Sequence, residues 1–178
     1  MDESEIAARA VRACAEAARA LQQAGVVPEG LAEFVPERRV LRVFRRGAAM
    51  RPIGEAWRLG SLLLGTDGAL YSAGHATRAA ERGRAGYQSL SREERRDIAA
   101  AALRGGYPAG APVNYDAVPI ALDGPGLRDA GGELPLGVRD GAVRVRWRQG
   151  APLEGAPTLE QYLSERVELL IHPPLRAS

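Results

Sequence analysis

Val113-Asn114-Tyr115-Asp116 places polar side chains in a stretch that otherwise reads as apolar, and Asn114 is the only asparagine in the chain. Such a cluster can line a polar pocket. Asp116 would accept a proton, Tyr115 would orient a substrate, and Asn114 would bind it. Asn and Asp also favour turns and local backbone bonds, which accounts for the same pattern without a site. His75 follows Gly74 late in the strand after a hairpin turn, where a glycine admits close approach of a ligand or forms a bulge. If His75, Tyr115 and Asp116 act together on a polar or anionic substrate, they must lie within roughly 12 Å, because proton transfer works over one or two hydrogen bonds.

A second set is basic. Arg144, Arg146 and Arg148 alternate, so a strand would project all three from one sheet face and turn Trp147 the other way, into the core. Arg38, Arg42 and Arg46 suggest a second row. A basic sheet face can bind phosphates, but an arginine-studded face that discourages edge aggregation is the plainer account. Nucleic acid is therefore a disfavoured partner.

What the chain lacks removes whole classes of chemistry. It has 24 arginines and no lysine, one cysteine and two histidines. Without lysine there is no Schiff base and no phosphate-loop amine. One cysteine and two histidines cannot furnish a tetrahedral zinc site, so neither metal nor cofactor is expected. Cys14 falls in the apolar stripe of a helix, which predicts an inert buried thiol. A single cysteine forms no internal disulfide, which agrees with a reducing cytoplasm. The acidic start, Met1-Asp2-Glu3-Ser4-Glu5, is unlike a signal peptide, and the apolar run 98–103 is too short for a membrane span. Replacement of lysine by arginine throughout, with abundant Ala, Gly and Pro, reads as genomic composition. Charge is uneven: residues 1–37 carry three arginines against seven acids, and residues 38–58 carry seven arginines against Glu55 alone.

These residues need a scaffold, and the periodicity supplies one. Ile6, Ala10, Ala13, Cys14, Ala17 and Leu21 recur at helical spacing, and Gly25 stops that helix. A short helical turn is expected around 28–34. Strands follow at 38–44, 56–64 and 69–77, the last two joined by Gly65-Thr66-Asp67-Gly68. The run Leu62-Leu63-Leu64 suggests a central strand covered on both faces. Ser91-Arg92-Glu93-Glu94 reads as a capping box opening a helix to about 103. A strand over 113–122 meets Pro119 and so belongs at an edge or bend. A second hairpin turns at Asp140-Gly141 between 134–138 and 142–148. Thr158-Leu159-Glu160-Gln161 caps the last helix. The expectation is one α+β domain over residues 1–178, with an antiparallel sheet of five or six strands and helices at the start, middle and end.

This reading favours a soluble intracellular domain that binds a protein partner, a second copy of itself or a small molecule, with no membrane association. For a protein partner, the alanine face of the first helix and the 162–170 face of the last are the candidate patch. Catalysis by His75, Tyr115 and Asp116 is the alternative, and nucleic-acid binding through Arg144, Arg146 and Arg148 a further one.

Overall fold

The computed structural model describes residues 2–40, 44–83, 90–123, 126–127 and 133–174. The protein is an α+β fold. Among the described residues there are three helices, α1 (Glu3–Gln23), α2 (Leu90–Arg104) and α3 (Leu159–Ile171). The strands are β1 (Glu29–Val35), β2 (Arg38–Val40), β3 (Phe44–Arg46), β4 (Ala49–Leu59), β5 (Leu62–Gly65), β6 (Leu70–Ser72), β7 (His75–Arg78), β8 (Pro112–Tyr115), β9 (Val118–Pro119), β10 (Leu136–Arg139) and β11 (Ala142–Val145). The main sheet has seven strands, in the order β7-β8-β1-β4-β5-β6-β9, not five or six. It is mostly antiparallel, but β1 and β8 run parallel.

The larger count has identifiable causes. The segment at 28–34 is not a helical turn but most of β1. Its leucine, alanine and glutamate favour a helix locally, yet pairing with β4 on one side and β8 on the other outweighs that preference. The stretch 56–64 is cut at Gly60-Ser61, where Gly60 takes φ +66 as the first residue of a two-residue turn between β4 and β5. The stretch 69–77 is cut at Gly74 into β6 and β7. The strand expected at 38–44 is two short paired strands, β2 and β3, with residues 41–43 outside the described set.

The chain divides into two compact units. The first comprises Met1–Pro28, Trp57–Ala73 and Val118–Ser178. Here α1 buries Ile6, Ala10, Cys14, Ala17, Ala18 and Leu21, a stripe of small residues that lets α3, β5 and β11 approach closely. Its end is a Schellman motif: the Val26 N–H donates to the Leu21 carbonyl and the Gly25 N–H to the Gln22 carbonyl, with Gly25 at φ +69. Trp57 Nε1 donates to the Val26 carbonyl (2.8 Å), tying that corner to β4. Leu62, Leu63 and Leu64 are all fully buried. Pro119 lies in the edge strand β9, where its missing N–H costs no ladder bond. The patch proposed for a protein partner is largely internal, since the alanine face of α1 and Tyr162, Leu163 and Val167 of α3 belong to one core.

Asp140 (φ 52) and Gly141 (φ 70) turn β10 into β11 as the aspartate–glycine pair predicts. That hairpin is a separate two-stranded sheet ending at Val145, three residues short of the expected 148. The Thr158 capping box is present: the hydroxyl accepts from the Gln161 N–H (3.2 Å), and the Thr158 N–H donates to Gln161 Oε1 (3.0 Å).

The second unit comprises Glu29–Ala56 and Gly74–Ala117. Its core, built on Ala32, Met50, Ala79, Ala101, Ala102, Val113 and Tyr115, lies between α2 and the strands. Ser91, expected at the cap of α2, lies inside the helix, which already includes Leu90, and its carbonyl accepts from Arg95 Nε. At the other end, a Cβ on Gly105 would land on the Met50 carbonyl oxygen. Gly105→Ala should therefore destabilise the protein by about 3 kcal/mol, the cost of forcing packed backbones apart, measured by urea unfolding.

Burial pushes the Cys14 thiol up to about 12, with the Glu160 carboxylate a second cause. The native value lies above the unfolded one of 9.0, so the thiol's contribution to stability is complete below pH 9 and is lost as pH rises from 9 towards 12. With no lysine in the chain, the five tyrosines are the main other side chains titrating in that window, and they are common to the native protein and the variant. The stability difference between the native protein and Cys14→Ala should shrink by about 1 kcal/mol between pH 8 and pH 10. An unchanged difference in urea midpoints would show that the thiol ionises in place.

Candidate functional site

The structure brings His75, Tyr115 and Asp116 together. In the β7–β8 pairing His75 sits opposite Tyr115, and their ring centroids are 5.4 Å apart. Asp116 follows at the end of β8 in the left-handed conformation (φ 53). Gly74 packs so tightly on the Tyr115 and Asp116 carbonyls that any side chain there would overlap them. His75 and Asp116 are exposed and Tyr115 is buried. Burial, and secondarily the Asp116 carboxylate, raise the Tyr115 phenol above its ordinary value, so it stays protonated. Asn114 faces elsewhere: it is 0% exposed, and its Nδ2 donates to Glu29 Oε2 (2.7 Å), bonding β8 to the start of β1.

The arginine row is not a continuous basic face. Arg144 Nη1 donates to the Ala156 carbonyl (2.5 Å). Arg146 donates through Nε to Leu134 (3.3 Å) and through Nη1 to Ala151 (2.8 Å). Both side chains thus fasten the 149–157 loop and the approach to β10 onto the hairpin. Arg148 lies beyond the end of β11 and does not continue the alternation. In the other row, Arg38 is paired with Arg46 across the β2–β3 hairpin, and Arg42 lies outside the described residues.

Trp147 does not point into the core. It is 74% exposed, and the Arg148 guanidinium lies 4.6 Å from its ring centroid. The ring borders a cleft of about 300 Å³ walled by the Gly60-Ser61 turn, Arg146 and three residues of α3, Tyr162, Glu165 and Arg166. Tyr162 is fixed there, its hydroxyl donating to the buried Leu59 carbonyl (2.7 Å). Arg166 lies over the Tyr162 ring, 5.1 Å from its centroid. Strand alternation hid this site, but register reveals it. Counting back from Asp140-Gly141 places Leu136 opposite Val145, and next in line is Pro135, which has no N–H to donate. Pro135 accepts from the Arg146 N–H and returns no bond, and β11 ends at Val145, so Trp147 lies beyond the strand.

Among the described residues no group of three or more His, Cys, Asp or Glu side chains could hold a metal ion. No helix described is long and apolar enough to cross a membrane. Comparison with protein-family models, with curated proteins and with solved structures finds no match to this chain.

The bonding separates the arginines by role. Arg146→Ala should cost about 1.5–3 kcal/mol in urea unfolding, because two carbonyls lose charge-assisted bonds. Arg148→Ala, which removes only an exposed stacking contact, should change stability by less than about 1 kcal/mol. Equal effects would mean that the loop bonds contribute nothing.

Proposed function

We propose that this protein is a binding domain that captures a small molecule in the cleft beside Trp147. The observation that carries the reading is the indole itself, a large apolar ring 74% exposed at the mouth of a cleft. Its surroundings are held by backbone bonds from Val145 N–H to the Pro157 carbonyl (3.0 Å) and from Arg146 N–H to the Pro135 carbonyl (2.7 Å). A rigid frame presenting an aromatic surface loses little conformational entropy when a ligand covers it. The test is native mass spectrometry after incubation with a small-molecule cell extract. The native protein should retain a bound mass that Trp147→Ala, a change at an exposed position, does not. Identical retained masses would overturn the reading.

A second reading, proton transfer on a polar substrate, has its own observation in its favour: His75, Tyr115 and Asp116 meet at the β7–β8 end. The two readings differ in where a ligand is felt. The chain has two histidines and two tryptophans, so NMR can follow His75 and Trp147 individually during a titration with the same extract. Perturbation of the His75 ring with Trp147 unmoved would favour catalysis.

A further inference from the structure

We propose that the Trp147 cleft takes a flat aromatic anion, a ring system carrying a carboxylate or a phosphate. This rests on the small-molecule reading above and names the ligand class for it.

One face of the Trp147 indole is covered by Arg148, which leaves the other face as a stacking surface. Tyr162 also lines the cleft, but it is buried and Arg166 lies over its ring, so it closes the cleft and leaves the indole as the stacking surface. Its hydroxyl is committed to the Leu59 carbonyl, so the residue is fixed in orientation. Beside them the Gly60-Ser61 turn closes the wall, the space a side chain at Gly60 would take being filled by the Tyr162 hydroxyl. An exposed indole face beside a closed, rigid wall favours a planar ligand over a bulky one.

Charge supplies the second half. Arg146 and Arg166 line the cleft against Glu165 alone, and Arg148 adds a third guanidinium behind the indole. The Arg146 guanidinium is already bonded to two carbonyls, so it contributes field. Arg166 is exposed, at the rim, with its guanidinium stacked on Tyr162, and its planar fork matches an oxyanion. A ligand with its ring on Trp147 and its anionic group on Arg166 uses both features. A neutral ring would forgo the arginine, and an aliphatic anion would forgo the indole. At about 300 Å³ the cleft is at the small end of ligand pockets, fit for one or two fused rings.

The test is calorimetric titration of the full chain with 1-naphthoate, 1-naphthyl phosphate, 1-naphthamide and cyclohexanecarboxylate, with NMR of the Trp147 indole as a second readout. At least one of the two aromatic anions should bind and shift the Trp147 signal, and the tighter one identifies the anionic group. The amide and the cyclohexane acid should bind about tenfold more weakly or worse. Arg166→Gln should reduce the anion's affinity to that of the amide, and Trp147→Ala should reduce it to that of the cyclohexane acid. The inference is overturned if the amide equals both anions, if cyclohexanecarboxylate equals them, if Arg166→Gln changes nothing, or if none of the four binds. Should extract molecules still be lost on Trp147→Ala while this series fails, the cleft remains a binding site and only the ligand class is wrong. Should both fail, both readings fall.

Discussion

The guanidinium of Arg146, bonded to the carbonyls of Leu134 and Ala151, fixes much of what surrounds it. Those bonds hold the loop after β11 against the hairpin. With that loop in place, the Pro157 carbonyl accepts the Val145 N–H, and Arg144 bridges to Thr158 at the start of α3. The capped start of α3 then sets where Tyr162 falls, and its hydroxyl reaches the Leu59 carbonyl. A lysine could not do the same work, because an ammonium on a flexible stem lacks the planar fork that spans two carbonyls. The device recurs: Arg104 donates to the Ala48 carbonyl and Arg78 to that of Gly110. A lysine-free composition that reads as genomic bias therefore also has a structural use, fastening loops to regular elements.

The second constraint is small side chains. The α1 face that meets α3 is largely alanine, with Cys14 at its centre, so close approach replaces bulk as the source of packing. That contact also absorbs the surface that the amphipathic pattern offered to a partner. A helix stripe records that a face is covered, and it does not record whether the cover is another part of the same chain. The Arg9–Glu160 ion pair at 2.9 Å, half-exposed, links the two helices across their polar margin and adds little energy.

Legibility in the sequence followed the range of the interactions. Features fixed by a few neighbouring residues could be read: the α1 stripe and its glycine stop, the Asp140-Gly141 turn, the Thr158 capping box, and Pro119 at an edge. Features fixed by distant partners could not. β1 looks helical until β4 and β8 flank it, and nothing near Gly30 announces a parallel neighbour more than eighty residues away. Gly60-Ser61 is an intermediate case, a two-residue hairpin signal lying inside an apolar run that reads equally well as one strand. The juxtaposition of His75 with Tyr115 depends on strand pairing, and so was an expectation about residue types with no geometry behind it. The outward turn of Trp147 was not legible because alternation carries past Val145, where β11 ends.

The two candidate locations differ in how much of their geometry the fold already explains. His75 faces Tyr115 because β7 and β8 pair in that register, and the left-handed Asp116 is the residue that ends β8 before the chain continues to β9. Strand pairing and a turn suffice there. Trp147 has no such account. Turning an indole inward is worth about 25 cal/mol for each Å² of apolar surface removed from water, so leaving most of the ring exposed forgoes roughly 3 kcal/mol. The neighbouring backbone is bonded on both sides, so the ring is not carried on a slack loop. Arg148 recovers part of the loss by stacking on one face, on the order of 0.5–1 kcal/mol at an exposed site, and the larger part is left. Exposed apolar surface beside a concavity is where folding alone ceases to account for the arrangement, and on the proposed reading a bound ligand would supply the missing contact.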